Sequence, residues 1–167
     1  MESNGLRMHA ELLIADYSNP DHATALIFLM NAYATDPMGG GEALDPQVLC
    51  GLPAALAALP RAFTVLAYIE QQPAGLINCL GGFSTFKCQP LINIHDVVVL
   101  PAWRGQGLAG QMLAIVEARA RSEGCCKLTL EVLEGNQAAR KSYTRSGFAA
   151  YALDPAAGQA QFWQKLL

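Results

Sequence analysis

The stretch from Asp96 to Leu113, DVVVLPAWRGQGLAGQML, constrains the fold more than any other part of the sequence. It passes from an apolar strand pattern through a glycine-rich turn into Ala109, Met112 and Leu113, which are spaced as on one face of a helix. The first N–H groups of such a helix have no acceptor inside it, and together with the helix dipole they favour a phosphate group. The stretch therefore predicts a strand, a loop and a helix that together bind a phosphate.

Two phosphate-binding patterns overlap in this loop. Gly105–Gly110 matches the dinucleotide fingerprint G-x-G-x-x-G, and Arg104–Ala109 matches the pattern R-x-x-G-x-A. A dinucleotide fingerprint normally begins at the end of the first strand of a doubly wound fold. Here the residues PAWR separate the strand from the glycines, and only one further strand–helix step follows the loop. The G-K-[ST] of a P-loop is missing as well. We therefore expect the pyrophosphate of a cofactor other than NAD.

Composition narrows the class of protein. Charged residues make up 15% of the 167 residues and the net charge is −3, so the basic surface of a nucleic-acid binder is not expected. Apolar runs such as Ala25–Met30 are far shorter than the ~20 residues of a membrane span. Five cysteines without a C-x-x-C pair indicate reduced thiols rather than metal ligands. We expect a cytoplasmic protein that uses no metal and binds neither membrane nor nucleic acid.

The order of the predicted elements indicates a single mixed α/β domain over residues 1–167. Turn signals and apolar periodicity predict β-α-α-β-β-β-α-β-α-β-β. The predicted elements are a strand over Met8–Tyr17, helices over Pro20–Thr35 and Gln47–Leu59, strands over Ala62–Glu70, Ala74–Phe86 and Leu91–Leu100, a helix over Gly105–Glu123, a strand over Lys127–Leu133, a helix from Asn136 to Gly147, and strands over Phe148–Leu153 and Gln159–Leu166.

Three sequence blocks together resemble the GNAT superfamily of N-acetyltransferases, in its bacterial branch. They are DVVVLPAWRGQGLAG, then N-x-x-A-x-x-x-Y at Asn136, Ala139 and Tyr143, then Gly147–Phe148. The resemblance implies a bent, mostly antiparallel mixed sheet flanked by helices. It also implies a splay between two central parallel strands, with acetyl-CoA as co-substrate in the gap. Homodimers are common in this superfamily, and the apolar C-terminal FWQKLL favours one here.

The resemblance also assigns residues to the cofactor. A bulge in the strand before the loop would aim the N–H of Val98 or Val99 at the thioester carbonyl, and main-chain groups of Val97–Val99 would pair with the pantetheine amides. Asn136 would bond to the pantetheine arm, and Tyr143 would protonate the leaving thiolate. The pyrophosphate would be held by Arg104 at the edge and by the amides of Gly105, Gln106, Gly107, Leu108, Ala109 and Gly110.

The acceptor is expected to be a primary amine of a small molecule or peptide. Asp96 and His95, in the strand just before the expected bulge, and Glu131 on the neighbouring strand are open alternatives for binding the amine or taking its proton. The loop around Asp36 would attract a cationic amine because it is rich in carboxylates. Phe83 and Ser84 would line the opposite wall. A non-catalytic acyl-CoA sensor on the same fold is the alternative function.

Overall fold

The protein comprises two compact units, residues 1–130 and residues 131–167. The structure, a computed structural model, describes residues 9–154, 156, 158 and 160–167. Each unit is described by itself.

The first unit is built on a five-stranded sheet in which the strands lie in chain order. The strands are β1 (Ala10–Ile14), β2 (Phe63–Ile69), β3 (Gln72–Ser84), β4 (Gln89–Val99) and β5 (Leu128–Leu130). Neighbours from β1 to β4 are antiparallel, whereas β4 and β5 are parallel. A parallel pair needs a crossover connection, which here contains a helix. The predicted mixed, mostly antiparallel sheet is confirmed.

Three helices accompany this sheet in the described part of the first unit. They are α1 (Pro20–Thr35), α2 (Pro46–Ala58) and α3 (Leu108–Ser122), and a short 3-10 turn (Pro101–Trp103) precedes α3. The first two helices begin in the same way, with Asn19 and Asp45 as N-caps and a proline in the first turn. The capping side chains accept hydrogen bonds from the backbone N–H of Asp21 (2.9 Å) and Gln47 (2.7 Å).

The two faces of the sheet carry different helices. On one face Leu29 of α1 packs with Leu66, Leu76 and Val98. The other face carries α3. Its Met112 packs so closely on Gly75 of β3 that a Cβ built on this glycine would lie 3.1 Å from Cε of the methionine. A side chain at position 75 would also lie 2.6 Å from the carbonyl oxygen of Val98, so this close packing requires glycine.

A β-bulge in β4 changes which face its side chains occupy. Cys79 lies opposite Ile94 and Asn78 lies opposite Asp96, so His95 is the extra residue on β4. The bulge was predicted in this strand, but after Asp96 rather than at His95. Because Asn78 and Cys79 are successive residues of β3, their partners Asp96 and Ile94 lie on opposite faces. Without the bulge, Asp96 would point to the α3 side.

The two parallel strands separate where they were expected to. The β4–β5 ladder covers only Ile92–Ile94 on β4 and Leu128–Leu130 on β5. Beyond Ile94, β4 continues to Val99 with β3 as its only ladder partner among the described residues. One edge of β4 is therefore free of strand pairing where the sequence turns toward the glycine loop.

The second unit contains one helix, α4 (Gln137–Arg145), in its described part. Asn136 caps it by accepting a hydrogen bond from the N–H of Ala139 (3.1 Å). Gly147 follows with φ +87°, in the left-handed region expected just after a helix. The ring of Tyr143 lies edge-on to that of Phe148, with centroids 6.0 Å apart.

The closing strands predicted at the C-terminal end were wrong for the residues that the structure describes. Phe148–Leu153 forms no strand beyond an isolated bridge at Ala152, and residues 160–167 form none; Gln159 lies outside the described residues. The pattern that suggested the first strand is short and rich in alanine, which has weak β propensity. The strand predicted over Lys127–Leu133 is likewise only Leu128–Leu130.

Candidate functional site

The glycine loop before α3 has the backbone geometry of an anion site. Gly105 (φ +78°) and Gly107 (φ +82°) are in the left-handed region, and Gly107 is the N-cap of α3. The N–H of Gln111 donates to the carbonyl of Gly107 (3.1 Å) and is the first with an acceptor inside the helix. A Cβ built on Gly105, Gly107 or Gly110 would meet no atom within 4 Å. The loop therefore leaves room for a ligand in front of the helix amides.

The free edge of β4 presents alternate backbone groups. The N–H of Leu100 donates to the carbonyl of Ala74 opposite it (2.9 Å), which marks a hydrogen-bonded pair of the antiparallel ladder. Such pairs alternate along a ladder, so the backbone N–H and C=O of Val98 point toward β3, and those of Val97 and Val99 point to the free edge. Of the two amides predicted to face the thioester, only that of Val99 points to this edge.

Arg104 and Asp36, predicted for different ligands, form an ion pair. The Nη2 of Arg104 lies 2.7 Å from Oδ2 of Asp36, and its Nε donates to the carbonyl oxygen of Val99 (2.9 Å). Asp36 ends α1, and its other oxygen accepts from the N–H of Met38 (2.8 Å). The hydrogen bond from Arg104 holds the pKa of Asp36 below its usual value. The arginine thus ties the loop after α1 to the end of β4.

Asp96 lies at the end of a row of polar side chains across the sheet. Its Oδ2 accepts a hydrogen bond from Nδ2 of the buried Asn78 (3.0 Å). Burial, and then the charges of Asp96 and Asp36, raise the pKa of Tyr33 on α1. Sequence reasoning missed both Asn78 and Tyr33. The available signal was an asparagine inside the apolar run LINCL, where a buried strand would otherwise carry aliphatic residues.

The other residues of the first unit that were predicted to bind the acceptor amine lie less close to one another. His95 is the exposed extra residue of the bulge. Phe83 and Ser84 lie five and six residues along β3 from Asn78, which is about 17–20 Å in an extended strand. Phe83 is exposed, and the Oγ of buried Ser84 accepts from the N–H of Lys87 (3.3 Å) in the following turn.

The remaining predicted residues belong to the second unit. Glu131 is its first residue, and Asn136 and Tyr143 lie at the start and near the end of α4. Their spacing of seven residues is about two helical turns, so both fall on one face of this helix. Among the described residues, no three His, Cys, Asp or Glu side chains come together as metal ligands. No described helix is long and apolar enough to cross a membrane.

Comparisons with known proteins agree on one family. A model of the acetyltransferase (GNAT) family matches residues 26–148. The chain is 46% identical over 55 residues to the uncharacterized N-acetyltransferase YycN of Bacillus subtilis (strain 168), a match covering 33% of this chain and 35% of that protein. It is 35% identical over 65 residues to the thialysine N-epsilon-acetyltransferase of Bos taurus, covering 39% and 38%. The chain thus matches little more than a third of each relative's length.

Solved structures share the fold. A transcriptional regulator from Bacillus halodurans C-125 matches with a TM-score of 0.77 at 16% identity, over 95% of this chain and all of that one. An aminoglycoside N-acetyltransferase in complex with CoA matches with a TM-score of 0.71 at 16% identity, over 94% and 95% of the two chains. At such low identity these likenesses concern the fold alone.

Proposed function

Since the chain belongs to the acetyltransferase (GNAT) family, we propose that it transfers the acetyl group of acetyl-CoA to a primary amine of a small molecule or peptide by direct attack. The observation that carries this proposal is the glycine loop at the N-terminus of α3, adjoining the free edge of β4. Gly105 and Gly107 hold the loop in left-handed conformations, and Val97 and Val99 direct backbone groups to that edge. The loop suits a pyrophosphate and the edge suits an amide-containing arm.

The cofactor would be held mainly by backbone groups. The amides of Gly105–Gly110 would bind the pyrophosphate, as unpaired helix N-terminal amides favour anions. Val97 offers both its N–H and its C=O to the pantetheine amides. Val99 offers its N–H alone, because Arg104 already donates to its carbonyl. We assign the N–H of Val99 to the oxygen of the thioester carbonyl, where negative charge develops during acyl transfer.

The acceptor amine would be bound at Asp96. The Oδ2 of this carboxylate is held by Asn78, and its Oδ1 accepts no hydrogen bond from any other described residue. That oxygen can bind an ammonium group and take its proton through water. His95 and Glu131 are the alternative bases. The deprotonated nitrogen would attack the carbonyl carbon and the C–S bond would break, with the phenol of Tyr143 giving its proton to the leaving thiolate. The new amide nitrogen would lose its excess proton to solvent, and solvent would return a proton to the phenolate of Tyr143.

We also propose that the protein forms a homodimer through its C-terminal segment. Phe162, Trp163 and Leu166 are large apolar side chains left more than three-quarters exposed in the second unit. Apolar surface of this kind commonly marks a contact between proteins. Light scattering at micromolar concentration should give twice the mass of the chain, and a monomer would contradict this part of the proposal.

Calorimetry and kinetics together test the assignment. Acetyl-CoA and CoA should bind, and NAD should not. Binding of NAD but not of acetyl-CoA would overturn the assignment of the glycine loop to the pyrophosphate of CoA. The Asp96→Asn variant should lose turnover or raise the KM of the amine, with the KM of acetyl-CoA unchanged. If kcat/KM for the amine is unaffected in this variant, the role passes to Glu131 or His95.

A further inference from the structure

A row of buried and half-buried hydrogen bonds crosses the sheet of the first unit and ends at Asp96. The hydroxyl oxygens of Tyr17 and Thr64 are 2.9 Å apart, Oγ1 of Thr64 lies 2.6 Å from Oδ1 of Asn78, and Nδ2 of Asn78 lies 3.0 Å from Oδ2 of Asp96. Thr64, Asn78 and Asp96 are directly opposite one another on β2, β3 and β4. Thr64 is fully buried and Asn78 is 3% exposed. The strand register itself therefore assembles the row.

The hydrogen bonds of this row run in one direction. Oδ1 of Asn78 can only accept, so the single hydroxyl proton of Thr64 is donated to it. Tyr17 must then donate to Thr64. Burial raises the pKa of the Tyr17 phenol, which keeps that proton in place. Every donor in the row thus points toward Asp96, whose carboxylate is the terminal acceptor.

The amide of Asn78 is fixed on three sides. Its oxygen accepts from Thr64, and its nitrogen donates both to Asp96 and to the sulfur of Met30 on α1 (3.2 Å). A reversed amide would set a carbonyl oxygen against the carboxylate of Asp96. Asn78 is therefore held in the orientation that offers an N–H to Asp96.

Packing alone does not call for these polar residues. The next row on the same face, two residues further along each strand, is Leu66, Leu76 and Val98, and it packs against α1 as an apolar cluster. Buried polar side chains are generally no more stabilising than apolar side chains of the same size. A role for the polar row in positioning Asp96 accounts for its presence beside an apolar one.

We propose that Asn78, oriented by Thr64 and Tyr17, is the positioning residue that holds the Asp96 carboxylate toward the acceptor amine. This inference rests on the proposed function, in which Asp96 binds the amine. The bulge at His95 turns Asp96 to the face of this row, and Asn78 then engages one of its oxygens and leaves the other for the substrate. A carboxylate locked in this way is preorganised for its ligand.

A double-mutant cycle between Asn78 and Asp96 tests the inference. Asn78→Leu keeps the number and branching of the side-chain heavy atoms and removes the donor to Asp96. It should lower kcat/KM for the amine about tenfold, which corresponds to the loss of ~1.4 kcal/mol in a single interaction, and leave the KM of acetyl-CoA unchanged. In the Asp96→Asn background, the same substitution should have less than a twofold effect, because Asn78 acts only through Asp96.

Two further variants separate positioning from folding. Thr64→Val removes the donor that orients Asn78 while keeping the shape of the side chain. Its kcat/KM for the amine should fall by about threefold, less than in Asn78→Leu, and this effect should also vanish in the Asp96→Asn background. If Asn78→Leu does not fold, the Thr64→Val variant decides between positioning and a structural role. The matched control is Ile77→Val, a neighbouring buried position that faces α3. It should reduce stability by about 1 kcal/mol and leave kcat/KM within twofold of wild type.

The outcomes distinguish this inference from the proposed function. If the wild-type protein is active but the Asn78→Leu loss persists in the Asp96→Asn background, the asparagine is merely structural and the inference is overturned. The same holds if the KM of acetyl-CoA rises as much as that of the amine. If the wild type shows no amine-dependent release of thiol, the proposed function fails and the inference falls with it.

Discussion

Gly107 and Gly124 stand just before and just after α3, and replacing each with alanine gives a matched test of the phosphate site. Both have positive φ, +82° and +68°, and a Cβ built on either meets nothing within 4 Å. The cost is therefore confined to the backbone, at roughly 1–2 kcal/mol for a left-handed alanine. The reduced freedom of the unfolded chain offsets about 0.4–1 kcal/mol of it. Each variant should thus lose about 1 kcal/mol, or about 2–4 °C in Tm.

Only one of these two glycines should affect the cofactor. The methyl group of Gly107→Ala would enter the space in front of the N-terminal amides of α3, where the pyrophosphate is proposed to bind. We expect its affinity for acetyl-CoA to fall at least tenfold, about 1.4 kcal/mol, and that of Gly124→Ala to stay within twofold of wild type. Thermal unfolding and calorimetry measure the two quantities. Unchanged binding by Gly107→Ala would refute the assignment of the loop, and equal losses in both variants would indicate a general effect on the fold.

Three further predictions concern single side chains. Tyr143→Phe should lower kcat by roughly 10²-fold in steady-state assays, with acetyl-CoA affinity within about 1 kcal/mol of wild type. A folded variant that keeps half of the wild-type kcat would show that the phenol is not the general acid. Burial raises the pKa of the Cys79 thiol to about 12. At pH 8, mass spectrometry should therefore find Cys79 alkylated about 10³-fold more slowly than an exposed thiol such as Cys50. Similar alkylation rates for the two thiols would contradict the burial of Cys79. In Arg104→Met, NMR titration should show that the pKa of Asp36, lowered in the wild type by the hydrogen bond from Arg104, rises toward its ordinary value. The stability that this pair contributes is present above the ordinary pKa of the carboxyl group and is lost as the pH falls through the folded-state pKa. An Asp36 pKa that is the same in the variant and the wild type would exclude the ion pair.

Local sequence signals predicted the parts of the fold that depend on local chemistry. The N-cap Asn136 precedes α4, and the glycine loop precedes α3, because the physics of a helix end is set by the few residues around it. The parallel pairing of β4 with β5 and the splay between them were implied by the family resemblance rather than by local signals, and the pairing is seen in the structure. The expected splay is seen as the end of their ladder at Ile94.

Features that depend on register or on distant partners could not be predicted in the same way. Placing the bulge at His95 requires the pairing of β3 with β4, since a shift of one residue exchanges the faces of a strand. The ion pair of Asp36 with Arg104 joins residues 68 positions apart, and no local pattern specifies it. The polar row through Asn78 depends on three strands at once. The predicted closing strands failed because alternation alone does not supply a pairing partner.

We propose that this chain moves an acetyl group from acetyl-CoA to an amine. The most direct measurement is thiol release from acetyl-CoA across a panel of small amines, amino acids and peptides, with mass spectrometry of the acceptor in the same reaction. At least one amine should give thiol and N-acetylated product in equal amounts, and Asp96→Asn should reduce both together. Tight binding of acetyl-CoA with no amine-dependent thiol release by the wild type, over the whole panel, would contradict this proposal and indicate a non-catalytic acyl-CoA sensor.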